Sequence, residues 1–420
     1  MEQTTQQHAL GNGIPLLIFE NHEAAVATAD VWVRTGAADE PDELSGVSHF
    51  LEHMMFKGTD KWGLGEIERA IESVGGVCNA GTSYDFTHYY ITMPSGAVGT
   101  GIELLAEMVR RSTLDPTELE KERLVILEEY RRKQDHPAAV LYERLYQELF
   151  ESGPYHEPVI GHEETIRAID RDRMLDYYRK RYSPQNLTLV VTGDIDSEQV
   201  IAQSEAALGD FERPLASLAE PGPVRYGRGK RIHEDKPTGG EVYVAFALPA
   251  PGVRQTESVI PLDVAQFVLG GGRAAVLYQE LKEKRGLCSS ISSYYPTHLH
   301  DSLFVFIATC LPEQREGLRQ GLVEQLRRFA ETAPTAPVLE RARRLLTSSH
   351  RFSMETSGGA AGSVGYYYTL SGGTEFLDGY LGRLDAITAE QVRTGAASVI
   401  QPDAVEQALV EISVGPNGVN

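Results

Sequence analysis

Two histidines four residues apart, His49 and His53, with Glu52 between them, are the side chains in this sequence best placed to do chemistry. The pentad His49-Phe50-Leu51-Glu52-His53 reads H-x-x-E-H, the reverse of the H-E-x-x-H order common among zinc-dependent enzymes. On a helix, positions i and i+4 share one face, so both imidazoles can aim at a single metal ion. Glu52 then lies beside that ion, where a carboxylate can take a proton from water. Phe50, Leu51, Met54, Met55 and Phe56 are apolar and would bury the rest of the helix. By itself the pentad equally fits an amphipathic helix with two hydrogen-bonded histidines, and a third ligand is what separates the two readings.

A candidate stands in Glu118-Leu119-Glu120-Lys121-Glu122-Arg123-Leu124-Val125-Ile126-Leu127-Glu128-Glu129-Tyr130. Asp115-Pro116 starts a helix here, with Leu124, Ile126 and Leu127 as its apolar positions. A carboxylate from this second helix would complete a two-histidine, one-glutamate set and leave a fourth position open, as catalytic zinc requires. Spacing alone does not choose between Glu128 and Glu129.

With these motifs in hand, the chain resembles the inverted-motif zinc peptidases, the family of pitrilysin, insulin-degrading enzyme and mitochondrial processing peptidase, and in particular its small bacterial two-domain members. The likeness spans nearly the whole sequence. It includes Leu10-Gly11-Asn12-Gly13-Ile14, the run Val31 to Glu40, Gly75-Gly76-Val77-Cys78-Asn79-Ala80-Gly81-Thr82-Ser83, Pro154 to Gly161, Tyr182-Ser183-Pro184-Gln185-Asn186-Leu187 and Val191-Thr192-Gly193-Asp194. The resemblance implies one Zn2+ per chain held by His49, His53 and Glu129, with Glu52 as general base and Glu122 as an auxiliary acid on the same helix as Glu129. It also implies that Asn79 and Ala80 lie on a strand that pairs with the backbone of a peptide substrate, a mode that reads main chain rather than sequence. The implied fold is α+β: two homologous α/β domains, each a mostly antiparallel sheet covered by helices, pairing into a clam-like dimer with an internal chamber. The implied activity is zinc-dependent endopeptidase action on short or unfolded peptides. The alternative is a non-catalytic, peptide-binding or structural subunit of the same family.

One departure bears on partners. Relatives carry R-E-K-R-G-L-A-Y in the second domain, whose Arg and Tyr grip substrate. Here the stretch is Lys282-Glu283-Lys284-Arg285-Gly286-Leu287-Cys288-Ser289. Lysine lacks the guanidinium fork and serine has no phenol, so Lys282 is at most a partial substitute in substrate binding. The expectation is a heterodimer with a homologous subunit that keeps the Arg/Tyr pair, or else a homodimer in which Lys282, Tyr294 or Tyr295 stands in.

The elements that must position these groups follow from hydropathy patterning. Strands are expected at 14–19, 26–34 and 187–192, and helices at 43–56, 63–74, 96–111, 116–133, 138–150 and 170–181. The second half repeats the scheme, with strands at 241–248 and 303–309, helices near 256–270 and 273–285, and no metal ligands. This predicts a zinc-binding catalytic domain over 1–212, a Pro- and Gly-rich linker over 213–237 and a second domain over 238–420. A net charge of −21 argues against nucleic acid as a partner, and no apolar run approaches the length of a membrane span. Cys78, Cys288 and Cys310 are too few for a disulfide framework and read as small buried hydrophobes. The opening Met-Glu-Gln-Thr-Thr-Gln-Gln-His has neither the charged nor the apolar region of a secretion signal, so the default expectation is cytoplasmic, or periplasmic if a signal was removed.

Overall fold

The structure, a computed structural model, describes residues 5–214 and 222–416. Its strands are β1 Gln6–Ala9, β2 Pro15–Glu20, β3 Val26–Val33, β4 Val77–Thr82, β5 Thr87–Pro94, β6 Phe150–Ser152, β7 Leu187–Gly193, β8 Arg225–Tyr226, β9 Arg231–Asp235, β10 Val242–Pro251, β11 Ser290–Tyr294, β12 Asp301–Cys310 and β13 Val410–Gly415. Two large sheets result, ordered β1-β2-β7-β3-β5-β4 and β11-β12-β10-β13-β9, and β6 pairs with β8 in a small third one. Without β1, the first order maps onto the second strand for strand, with β2 matching β9 and β4 matching β11. In each large sheet one pair is parallel, β2 with β7 and β13 with β9, and the other pairs are antiparallel. The expected tandem repeat of a mostly antiparallel α/β unit is therefore present.

Burial explains the strand sequences. β3 and β7 lie inside the first sheet and are buried almost throughout, so they read as near-continuous apolar runs. β5 alternates instead: Thr87, Tyr89, Ile91 and Met93 are buried, while His88, Tyr90 and Thr92 are half-buried on the other face. β4 is the edge strand and has no fully buried residue.

The compact units are not contiguous halves of the chain. One comprises Met1–Tyr130, Glu157–Pro221 and Arg351–Asp378, the other Arg131–His156, Gly222–His350 and Gly379–Asn420. The simple division expected at 213–237 thus gives way to an exchange of helices. Ser357–Ser371, from the second half of the sequence, packs on β3 and β7, and its counterpart Pro137–Leu149, from the first half, packs on β10 and β13. Gly365 makes the first docking close, because a Cβ there would fall 2.0 Å from Trp32 Nε1. Apolar periodicity reports that a helix is buried but not which sheet buries it. The stretch 213–237 also contains β8 and β9. The five polar-rich residues of β9, Arg-Ile-His-Glu-Asp, carry no strand signature, and their pairing with β13 is what makes them a strand. Residues 215–221 of the expected linker lie outside the described residues.

The helix carrying the pentad spans Val47–Met54 and begins at Gly46, whose φ of +93° is left-handed. A Cβ at Gly46 would also fall 2.5 Å from Ile160 O, so glycine is required there twice over. The orphan amides of its first turn are taken by Glu40, which accepts from Gly46 N and Ser48 N at 2.6 Å each. Glu40→Ala should destabilise the fold by about 1–3 kcal/mol, read as a lower denaturant midpoint with unchanged slope.

Candidate active site

The pentad helix buries Val47, Phe50, Leu51 and Met54 completely and leaves His49, Glu52 and His53 half-buried on one face. Above that face runs the second helix, Pro116–Asp135, which buries Leu119, Glu122, Arg123, Ile126 and Leu127. Leu124, read from the sequence as a core position, is instead 67% exposed. The inward surface is occupied by the charged pair Glu122 and Arg123. The Arg123 guanidinium lies 5.4 Å from the centre of the Phe50 ring and binds Ile166 O, fastening the two helices together.

That packing brings His49, His53 and Glu129 to one point. Each imidazole Nε2 lies 3.7 Å from Glu129 Oε2, and one ligand atom from each of the three residues falls within 4.8 Å of the others. Two ligand bonds of about 2.1 Å meeting at a tetrahedral angle leave their outer atoms roughly 3.4 Å apart, so this donor set fits zinc with little adjustment. Among the described residues no other group of three His, Cys, Asp or Glu side chains converges in this way. The geometry brings in Glu129, and not Glu128, as the carboxylate of the set.

Glu122, two turns before Glu129, faces the far side of the same histidine. Its Oε1 lies 2.9 Å from His53 Nδ1, and its Oε2 lies 2.7 Å from Lys57 Nζ. A carboxylate accepts, so Nδ1 carries the proton and the Nε2 lone pair is left for a metal. Burial alone would raise the Glu122 pKa, yet the hydrogen bonds from Lys57 and His53 hold it below the ordinary glutamate value. Glu52 shows the opposite balance. Burial raises its pKa, and the hydrogen bond from Thr82 Oγ1 to its Oε2 only partly offsets the shift. Neither Lys57 nor Thr82 has a role in the sequence reading. Alternation along β4, which puts Ala80 and Thr82 on one face, was the available signal for Thr82.

Asn79 and Ala80 sit on β4 at the sheet edge, paired inward with Tyr90 and Tyr89. Ala80 N donates to the Asn79 side-chain oxygen at 2.9 Å. His88, on β5, has its Nδ1 3.2 Å from both carboxylate oxygens of Asp30.

In the other unit, Lys282 lies on a π-helical segment, Tyr278–Lys284, where an ordinary helix is expected from sequence, with its ammonium 4.7 Å from the centre of the Tyr278 ring. Ser289 Oγ donates to Glu241 Oε1. Tyr295 is 6% exposed and donates to Pro251 O, whereas Tyr294 is 50% exposed, so Tyr294 is the more accessible phenol. His298 and His300 precede β12 in a loop, and His298 is buried with its Nε2 2.9 Å from Tyr146 OH. Cys288 and Cys310 are buried as expected, whereas Cys78 on the edge strand is half-buried.

A repeated α/β unit with H-x-x-E-H on the first long helix of one copy defines the class of inverted-motif peptidase folds. Residues 16–163 match the family described as insulinase (peptidase family M16), and residues 168–346 match that described as the peptidase M16 inactive domain. The chain belongs to the M16 peptidase family. It is 29% identical over 402 residues to an uncharacterized zinc protease of Streptomyces coelicolor, an alignment covering 94% of this chain and 87% of that one. It is 26% identical over 402 residues to the uncharacterized zinc protease YmxG of Bacillus subtilis, with 95% and 96% covered. The fold is shared with the crystal structure of a protease from Helicobacter pylori at a TM-score of 0.90 and 24% identity, covering 99% of this chain and 100% of that one. It is shared too with the peptidase M16 inactive domain from Pseudomonas fluorescens, at 0.88 and 19%, with 98% of each covered. Among the described residues, no helix is long and apolar enough to cross a membrane.

If Glu122 orients His53, Glu122→Ala should weaken zinc binding about 10- to 100-fold, measured by competition with a chromogenic chelator.

Proposed function

We propose that this chain is a zinc-dependent endopeptidase acting on short or unfolded peptides. The observation that carries the reading is the convergence of His49 Nε2, His53 Nε2 and Glu129 Oε2, with Glu52 beside them on the same helix. Zinc held there would supply the Lewis acidity that acidifies water and polarises a peptide carbonyl. Glu52 takes the proton of the attacking water and returns it to the leaving amine. Burial raises its pKa, a direction that favours holding the proton it has to deliver. Thr82 fixes the orientation of Glu52, and Glu122 with Lys57 fixes that of His53. The edge of β4 at Asn79 and Ala80 pairs with the substrate backbone, which then has to displace the Asn79 side chain from Ala80 N.

Glu52→Gln should retain zinc at the wild-type stoichiometry and lose at least about 100-fold in peptide turnover, measured by metal analysis and by cleavage of a quenched fluorescent peptide. Undiminished turnover would remove Glu52 from the mechanism.

The chain works, in this reading, as the zinc-holding subunit of a heterodimer whose homologous partner carries the Arg/Tyr pair. Support comes from Lys282, whose ammonium lies against Tyr278, and from Ser289, whose hydroxyl is engaged by Glu241. Native mass measurement on the complex purified from its source should give two different polypeptides. A single species with full, chelator-sensitive activity would establish the homodimer instead.

A further inference from the structure

On the face of β4 turned away from Glu52 stands an imidazole that the proposed reaction does not use. Register places Gly81 opposite His88, and His88 opposite Trp32, so the three residues share that face. The His88 ring stacks on Trp32 at 4.4 Å between centres and on Tyr90 at 5.6 Å. Its Nδ1 is tied to Asp30, whose side chain is 2% exposed, while His88 itself is 19% exposed. Gly81 is what lets the ring reach the edge. A Cβ built on Gly81 would meet His88 Nε2 at 3.2 Å, so this nitrogen occupies the space above the edge strand that any larger residue would fill.

Nδ1 is engaged by Asp30, which leaves Nε2 as the ring nitrogen turned to the edge. A polar atom covered by a substrate side chain without a hydrogen-bond partner is costly. A peptide strand added to β4 would place one side chain across from Gly81 on the same face, with its Cβ about 5 Å from the Gly81 side-chain position. A Gln there spans the remaining distance to Nε2 through its two methylenes, and its amide both donates and accepts. An alkyl chain would sit against the imidazole without satisfying it.

We propose that His88, held by Asp30 and uncovered by Gly81, is a specificity-determining residue that selects peptides bearing a hydrogen-bonding side chain of glutamine's length over an alkyl one at the position opposite Gly81. The proposal rests on the reading of β4 as the substrate-pairing edge, and it assigns that edge a side-chain preference. The next residue along such a strand faces Thr82 or Ala80 on the Glu52 side, so selection and chemistry act on adjacent substrate positions from opposite faces of the sheet.

The test takes one parent peptide that is cut at a single bond and places Gln and Leu in turn at each position around that bond. Two quantities are read: kcat/KM with the zinc-loaded protein, and affinity of the labelled peptides for the Glu52→Gln protein, which needs no turnover. At one position Gln should exceed Leu about tenfold, the cost of leaving one polar group covered and unsatisfied. His88→Phe, which keeps the stack on Trp32, and Gly81→Val, which keeps the Asp30–His88 pair, should each bring that ratio to within about twofold of unity. An unchanged ratio in both variants, or no position with a preference, would overturn the proposal. Absence of cleavage of every peptide by the zinc-loaded protein would instead count against the peptidase reading, while the binding ratios would still decide the role of His88.

Discussion

The site depends on holding one helix against another by an interaction that involves no metal. Two imidazole nitrogens and a carboxylate oxygen approach to 3.7 Å only because Pro116–Asp135 is fastened to Val47–Met54 at neighbouring points. One is Arg123 against the Phe50 ring, and the other is Glu122 shared between His53 and Lys57. Both fastenings are charged groups taken nearly out of water. They are tolerable because each has its partner, and removing one partner would leave an uncompensated buried charge. The same contacts that dock the helices also fix which nitrogen of His53 is free, so helix packing and ligand orientation are one constraint.

Around this pair the sheet acts as a rigid ruler. β4 and β5 present opposite faces to different tasks: Thr82 reaches Glu52 on one side, and His88 leans over Gly81 on the other. An edge strand with free main-chain groups is an aggregation hazard. Here the Asn79 side chain occupies the Ala80 amide, which blunts the edge at the place where a peptide is proposed to add. The second sheet repeats the strand order of the first, less β1, and among the described residues its unit has no group of three converging His, Cys, Asp or Glu side chains, in keeping with the inactive-domain description of the family to which residues 168–346 match. The M16 relatives named as zinc proteases are uncharacterized, so the proposed activity rests on the geometry of this chain's own residues.

Much of the architecture was legible in advance. Most of the expected helices and strands formed within a few residues of their expected ends, because their apolar periodicity matches the burial they attain. The polar strand β9 was missed, since its residues carry no hydropathy signal and only pairing with β13 orders them. Leu124 misled for the complementary reason: an apolar residue was assumed to face inward, but Glu122 and Arg123 claim the inner surface for the site. The regular helix expected around Lys282 is a π-helical segment, a difference in hydrogen-bond pattern that side-chain periodicity does not encode.

By itself, the sequence determined that His49, Glu52 and His53 share one helix face, because spacing along one helix is a local property with a period of 3.6 residues; the family was read from a resemblance, and the family models match it. It left Glu128 and Glu129 undecided until a resemblance chose between them, because which carboxylate meets two histidines on another helix depends on the rotation of one helix against the other. Tertiary structure alone decided that rotation, the engagement of Glu122 with Lys57, the hold of Thr82 on Glu52 and the lean of His88 over Gly81. It also decided the exchange of Pro137–Leu149 and Ser357–Ser371 between units. These are contacts between residues far apart in the chain, set by packing, and no local pattern records them.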